Sequence, residues 1–327
     1  MQEFNILIGQ VAALMIWTAL GYISGKTGYM PKDAGAIISK TVIHITAPAL
    51  ILNTMTSYNF DAKTLSDSLM IGLLAILFIS FSLLVGVVTG RLLKLKGPTY
   101  NVFKAHSMFG NISYLGLPLL KTVFGDKAVV LAVFYVLANE VLVWTAGIYL
   151  LNEHQGHISS TLKKFINQNT IVCLFGLIFA LLNLQQYFVS NDAAKYIFDI
   201  FHGVVGPLGN CTLPLVMLYV GLSTAENPDW RFRNILKKPA TLSLTLVKLL
   251  IIPLLSLGIL LLFGGSIDPF VRTIVIMELA MPCAAVIVPL SAEYGSDHRQ
   301  AADNVIYTTI LSLFTLPLFL LLLNYIQ

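Results

Sequence analysis

The chain has 327 residues, of which 57% are hydrophobic and only 11% are charged. A soluble domain carries about 25% charged residues, so this composition excludes a soluble globular enzyme. The net charge of +4 is spread over separate polar stretches, which also excludes a water-soluble nucleic-acid-binding protein.

Ten apolar segments divide the chain. A membrane-spanning helix needs about 20 apolar residues, and in lipid every backbone polar group must bond within its own segment. We therefore expect ten helices, an all-α polytopic membrane protein and no large extramembrane domain. The predicted segments, numbered 1 to 10, are 4–25, 33–57, 67–91, 99–124, 127–151, 168–188, 196–223, 240–263, 268–294 and 300–325.

Lysine and arginine are distributed unevenly between the connections. Twelve lie in the odd-numbered connections and five in the even-numbered ones. Because positively charged loops stay in the cytoplasm, we expect the odd-numbered connections to be cytoplasmic. With ten spans, both termini then lie on the extracellular or periplasmic side.

Two pairs of short matches relate the two halves of the chain. Thr46–Leu50 resembles Thr212–Val216 at an offset of 166 residues, and Leu117–Leu119 resembles Val288–Leu290 at an offset of 171. The matches occur in the same order, so we predict two five-helix repeats at 1–152 and 168–327, joined by a cytoplasmic linker at 153–167. An odd number of helices inverts the second repeat, as in many secondary transporters.

Segments 4 and 9 contain residues that interrupt helices. Segment 4 has Gly110, Gly116 and Pro118, and segment 9 has Pro282 and Pro289. Proline removes a backbone hydrogen bond and clashes with the preceding turn, while glycine costs about 1 kcal/mol relative to alanine. Paired broken helices point to a transport site, where freed N–H groups bind an anion. The alternative is ordinary proline kinks, the interpretation left open for Pro48, Pro214, Pro253 and Pro317.

These residues resemble a known family. Gly110–Leu119, with the sequence GNISYLGLPL, resembles the fourth-helix signature of the auxin efflux carrier family. Met281–Gly295 is similar to the ninth-helix signature of that family, and Pro48–Leu50 resembles its second-helix motif. The family contains plant auxin exporters and bacterial malate or malonate permeases. The short central connection is like that of the bacterial members, which implies a plasma-membrane location.

The resemblance implies an inverted-repeat fold in which broken helices 4 and 9 cross at Pro118 and Pro289. Helices 1, 2, 6 and 7 would form a scaffold and a homodimer interface, and helices 3–5 and 8–10 would form a moving transport domain. The family's polar asparagine at the substrate corresponds to Asn111. Glu140 stands where plant members tend to have glutamine, which favours ionic coupling over an auxin-like substrate.

Charged side chains within the segments are further candidates. Burying a charge in a membrane helix costs roughly 2.5–3.5 kcal/mol on insertion scales, and such residues are usually functional. We therefore predict Glu140, Glu278 and Lys248 as ion- or proton-coupling residues. The alternative for Lys248 and Glu278 is a purely structural ion pair.

The predicted substrate-binding residues combine the two interruptions with nearby polar groups. They are Asn111, Ile112, Ser113, Tyr114, Gly116, Pro118, Asn139, Pro282, Cys283, Ala284, Pro289 and Asn53. We predict no catalytic residue, no metal site and no cofactor. His154 and His157 form an HxxH pattern without a third ligand, and we expect a solvated loop there. Cys173, Cys211 and Cys283 have no metal-binding spacing, and we expect small buried hydrophobic side chains.

The predicted function is secondary active transport of a small organic anion, a carboxylate such as malate, by elevator-type alternating access with a coupled proton. One alternative is a sodium-coupled carrier of the bile-acid type, and another is an exporter of auxin-like aromatic acids. A membrane receptor or sensor is a more distant alternative. An intramembrane enzyme is disfavoured, because no aspartate lies at mid-depth in a segment.

Overall fold

The computed structural model describes residues 2–152, 167–226, 235–263 and 267–326, without the side chains of 2–8, 10, 11 and 193. The described residues form helices and no β-strand, which confirms the predicted all-α class. His154 and His157 lie outside the described residues.

Helices lie over all ten predicted segments. Segments 1 to 5 are Gln2–Lys26, Ala34–Ser57, Ala62–Leu92, Gly97–Met108 with Ile112–Phe124, and Asp126–Leu151. Segments 6 to 10 are Gln168–Leu181 with Leu184–Ser190, Asp192–Asn210 with Thr212–Glu226, Pro239–Leu262, Pro269–Leu279 with Ile287–Glu293, and His298–Ile326.

Several of these helices can cross a membrane. Within the described ranges, six are long and apolar enough, and a seventh candidate is segment 6, whose two helices meet at a 63° bend. The protein is therefore a multi-pass membrane protein. That all ten segments cross the bilayer stays a prediction.

Among the described residues, wider π-helical turns interrupt four of the segments, and prolines account for three of them. The turns at Val42–Thr46, Ile112–Gly116 and Val247–Ile251 each end two residues before a proline. Proline has no N–H to donate, and its ring collides with the carbonyl one turn earlier, so the preceding turn widens. The prolines concerned are Pro48, Pro118 and Pro253.

The chain folds into two compact units. The described residues within Met1–Ile71, Ser113–Leu137 and Ile166–Glu226 form the first unit, and those within Gly72–Ile112, Ala138–Phe165 and Asn227–Gln327 form the second. Segments 1, 2, 6 and 7 therefore lie in the first unit, and segments 8, 9 and 10 lie in the second.

Close backbone packing holds the first unit together. Segment 1 lies along Thr212–Glu226, with Gly21 against the Leu218 carbonyl and Gly221 against the Thr18 carbonyl. A methyl group on either glycine would overlap the opposite backbone. Small residues at such contacts let membrane helices approach closely, where van der Waals attraction is strongest.

In the second unit, the residues around the interruptions pack on segments 8 and 10. Phe103, Leu244 and Cys283 form a buried cluster, and Leu95 and Val305 pack against it. Cys283, at the interruption of segment 9, thus lies in a buried cluster with side chains of segments 4 and 8.

Candidate functional site

The interruptions of segments 4 and 9 meet in an antiparallel backbone bridge. Gly110 pairs with Cys283. The Asn111 N–H donates to the Pro282 carbonyl at 2.7 Å, and the Ala284 N–H donates to the Phe109 carbonyl at 3.1 Å. Backbone groups released by one broken helix are therefore satisfied by the other, as burial requires.

The local sequence explains why both helices end here. Phe109 is extended, with φ −99° and ψ 125°, and Gly110 follows it. A Cβ on Gly110 would lie 3.3 Å from the Met281 side chain and carbonyl, so glycine allows segment 9 to approach. In segment 9, Pro282 lies within the non-helical residues that follow Leu279.

The bridge lies before Pro118 and Pro289, the two prolines at which the family resemblance implies that the helices cross. Pro118 lies in the first turn of Leu117–Phe124, and Pro289 lies within Ile287–Glu293. Proline is accepted in a first helical turn, because its missing N–H would have no partner there anyway. The bridge forms instead at Gly110 and Cys283, before both prolines.

Lys248 binds the end of the first half of segment 4. Its Nζ lies 3.4 Å from the carbonyl oxygens of Ser107 and Met108, and the side chain is 1% exposed. Those carbonyls are among the last of their helix and have no partner within it. A cation at a helix C-terminus is also favoured by the helix dipole.

Glu278 is buried without a partner. Its side chain is 1% exposed, and neither carboxyl oxygen has a hydrogen-bonding partner among the described residues. The structural ion pair considered for Lys248 and Glu278 is therefore not formed. The Lys248 ammonium group instead contacts the two terminal carbonyls of the first helix of segment 4.

His106 joins the bridge to segment 10. Its Nε2 lies 3.3 Å from the Ala284 carbonyl, and the Asn304 amide donates to its Nδ1 at 3.2 Å. The Asn304 oxygen accepts a hydrogen bond from Gln300 at 2.8 Å. One neutral tautomer, protonated at Nε2, satisfies every member of this chain.

No motif in the sequence marks His106, so its contact with the bridge was not predicted. The available signal was its position four residues before Gly110, on the last turn of the interrupted helix.

Cys283 is held at the bridge through its backbone. Its N–H donates to Thr308 Oγ at 3.0 Å, and its thiol is buried. Cys173 is buried as expected. Cys211, however, is exposed, so the prediction of a buried side chain was wrong there. It is the turn residue between the two helices of segment 7.

The other residues predicted in segment 4 divide between the units. Asn111 and Ile112 belong to the second unit, together with Pro282, Cys283 and Ala284. The Asn111 side chain is half-buried, and its amide has no hydrogen bond to a described residue. The residues assigned to the first unit are Ser113, Tyr114, Gly116 and Pro118.

In the first unit, two predicted residues have partners from distant segments. Ser113 Oγ accepts a hydrogen bond from Asn169 Nδ2 at 3.2 Å, and Asn169 Oδ1 is buried without a partner. Asn53 Oδ1 lies 2.8 Å from His202 Nδ1. Asn169 lies in the first turn of segment 6, far from any motif, and was not predicted.

Segment 5 places its polar pair differently from segment 9. Asn139 is buried, and Glu140 is half-buried, with its Oε2 accepting a hydrogen bond from Trp144 Nε1 at 2.8 Å. Trp144 is one helical turn further along the same helix. A local donor thus already holds the Glu140 carboxyl group.

The sequence matches a family of known proteins. The profile of a family described as membrane transport protein matches residues 6–160 and 156–320. The chain belongs to this family. This membership confirms the resemblance to auxin efflux carriers, and it identifies the chain as a membrane transporter rather than an enzyme.

Two archaeal relatives support the same conclusion. An uncharacterized transporter of Methanothermobacter thermautotrophicus is 26% identical over 312 residues, covering 94% of this chain and 95% of the relative. An uncharacterized transporter of Methanocaldococcus jannaschii is 23% identical over 321 residues, covering 94% of this chain and 96% of the relative. The similarity extends over nearly the full length of all three chains.

Proposed function

We propose that this transporter carries a small organic anion, a carboxylate such as malate, across the plasma membrane. The observation that carries the proposal is the bridge between the two interrupted helices. The Asn111 side-chain amide, which has no hydrogen bond to a described residue, lies next to this bridge, immediately before the helix that begins at Ile112. The first N–H groups of a helix lack internal acceptors and favour anions.

The substrate carboxylate binds the Asn111 side-chain amide and the Ile112 N–H, both of which lie in the second unit. Hydrogen bonds to a charged group contribute about 1.5–3 kcal/mol each, which is enough to select an anion over a neutral analogue. Lys248 adds a positive charge at the C-terminal end of Gly97–Met108, the first helix of segment 4. Its contacts with the Ser107 and Met108 carbonyls support this role. Specificity among carboxylates depends on the other groups that line the pathway.

The transport cycle is elevator-type alternating access. Two inverted repeats of five helices cross at segments 4 and 9, segments 1, 2, 6 and 7 form a dimeric scaffold, and segments 3–5 and 8–10 move with the substrate. Broken helices at equivalent positions of two halves are typical of transporters that work in this way. Charge is balanced by a proton on Glu140 or Glu278, and the termini face outward.

Counterflow in proteoliposomes tests the substrate. Labelled malate is offered to vesicles loaded with malate, malonate, a monocarboxylate, an aromatic acid or a neutral analogue. We expect exchange with the small dicarboxylates and none with the neutral analogue. Exchange driven by the aromatic acid alone would support an auxin-like exporter instead, and binding without exchange would support a receptor.

Asn111→Ala tests the site. We expect the apparent affinity for malate to fall about tenfold, since one charge-assisted hydrogen bond is lost. Thermal stability should not change, because the side chain has no partner in the described structure. Asn101→Ala, earlier in the same segment, is the matched control. Equal effects of both variants on malate affinity would mean that the bridge is not part of the substrate site.

A further inference from the structure

We propose that Glu278 carries the coupled proton, and that its protonation controls the charge with which the bridge attracts a substrate anion. This inference rests on the proposed function. It selects one carboxyl group of the two that the sequence left open, and it selects the proton over sodium.

The surroundings of Glu278 support the neutral acid. A buried carboxylate needs hydrogen-bond donors or a cation, because water no longer solvates its charge. Neither oxygen of Glu278 has such a partner among the described residues, and the side chain is 1% exposed. The carboxyl group in this conformation is therefore protonated. A bound sodium ion would require several further oxygen ligands around the same atoms.

Glu278 also lies beside the bridge. Its backbone carbonyl is 3.5 Å from the position that a Cβ on Gly110 would occupy, and it accepts the Met281 N–H at 3.3 Å. The Glu278 backbone therefore lies against the bridge, and we infer that a change of charge on its side chain is felt at Asn111 and Ile112, which follow Gly110 in the same unit. Charges that face a low-dielectric interior act over such distances far more strongly than in water.

The other titratable groups around Glu278 already have assigned contacts or lie on neighbouring helices. Lys248 donates to the Ser107 and Met108 carbonyls, and His106 is satisfied as a neutral ring. On the packed helices, Ile252–Leu262 carries no titratable side chain. The remaining groups on the helices and the bridge of segments 9 and 10 are Arg272, Cys283, Glu293, His298, Arg299, Asp303, Tyr307 and Tyr325.

Among these groups, Asp303 pairs with Lys238 at 2.7 Å. No described residue forms an ion pair with Glu278. While Glu278 is protonated, it does not neutralise the positive charge of Lys248. The second unit then presents a positive field to an anion at the bridge. Loss of the proton adds a negative charge there, weakens the anion's binding and releases it. Anion and proton therefore move together and in the same direction.

The test measures malate accumulation and proton entry in the same vesicles. Proteoliposomes contain a trapped pH-sensitive dye, and potassium with valinomycin fixes the membrane potential. In the wild type, uptake should rise roughly tenfold per unit of external acidification while the proton is subsaturating, and malate entry should acidify the interior. Glu278→Gln should abolish both the accumulation and the acidification, and its residual exchange should not depend on pH.

Two further variants sharpen the result. Glu293→Gln changes an exposed glutamate at the end of the same segment and should behave as the wild type. Glu140→Gln should keep pH-driven accumulation. The inference is wrong if Glu278→Gln still couples malate to protons, if Glu140→Gln alone loses coupling, or if a sodium gradient drives the wild type. No flux of any carboxylate in the wild type would overturn the proposed function as well.

Glutamine has the shape of the protonated acid and breaks no hydrogen bond seen here, so the variant should fold. Infrared spectroscopy of the wild type provides an independent measurement. A protonated carboxyl band that is present in the wild type and in Glu140→Gln is expected from a neutral Glu278. Its absence from the wild type would overturn the inference without any Glu278 variant.

Discussion

The first halves of segments 4 and 9 both end at the bridge, yet their ends differ in how polar groups are satisfied. At the end of Gly97–Met108, Lys248 lies within hydrogen-bonding distance of two terminal carbonyls, and His106 is bonded on both ring nitrogens. At the end of Pro269–Leu279, the Glu278 carboxyl group has no partner among the described residues.

The difference separates a structural role from a functional one. A fully satisfied buried network fixes one conformation, because breaking any member leaves an unpaired polar group. A buried group without a partner adds no such restraint and can change its protonation state. We therefore expect substitutions at the end of segment 4 to affect stability most, and Glu278→Gln to affect coupling most.

Lys248→Met should give the largest loss of stability. The variant removes the donor for the Ser107 and Met108 carbonyls and should lower the free energy of unfolding by about 2–4 kcal/mol. Thermal unfolding in detergent measures the loss, with Lys40→Met at an exposed position as the control. A variant as stable as the wild type would mean that desolvation of the ammonium cancels its hydrogen bonds.

Asn304→Leu should give an intermediate loss. His106 Nδ1 would lose its donor and Gln300 would lose one acceptor, at a cost of about 1–3 kcal/mol. Thr309→Val, which removes only a hydrogen bond within segment 10, is the matched control in the same thermal assay. If the two variants unfold at the same temperature, the link between segment 10 and the bridge does not contribute to stability.

Lys238→Met should give the smallest effect. The pair with Asp303 is 2.7 Å long, but its side chains are 32% and 23% exposed. Partly solvated pairs contribute about 1 kcal/mol or less, and salt screens them. The loss of stability should therefore shrink further when the assay is repeated at high salt. A loss equal to that of Lys248→Met would remove the distinction between buried and exposed lysines.

The helices and their interruptions were predictable from local sequence. Apolar length set the segment limits to within a few residues, and Pro282 marked the interruption in segment 9. The family resemblance implied a crossing at Pro118 and Pro289, whereas the backbone bridge forms at Gly110 and Cys283, before both prolines. Where a preceding interruption starts a new helix, proline fits its first turn instead.

The partners of the buried polar groups were not predictable. Lys248 lies about 140 residues from the carbonyls it binds, and Asn304 lies 198 residues from His106. No local pattern specifies such contacts, since they depend on how four segments pack. The same reason explains the wrong alternative of an ion pair. Opposite charges in the second half of the chain suggested a pair between Lys248 and Glu278, which the fold does not form.

Malate accumulation by the wild-type protein under an imposed pH gradient, at fixed membrane potential and without sodium, tests the central claim most directly. An acidic exterior should drive malate inward above its equilibrium concentration, and collapsing the gradient should release it. Accumulation that requires sodium, or equilibration that ignores the pH gradient, would contradict a proton-coupled anion carrier.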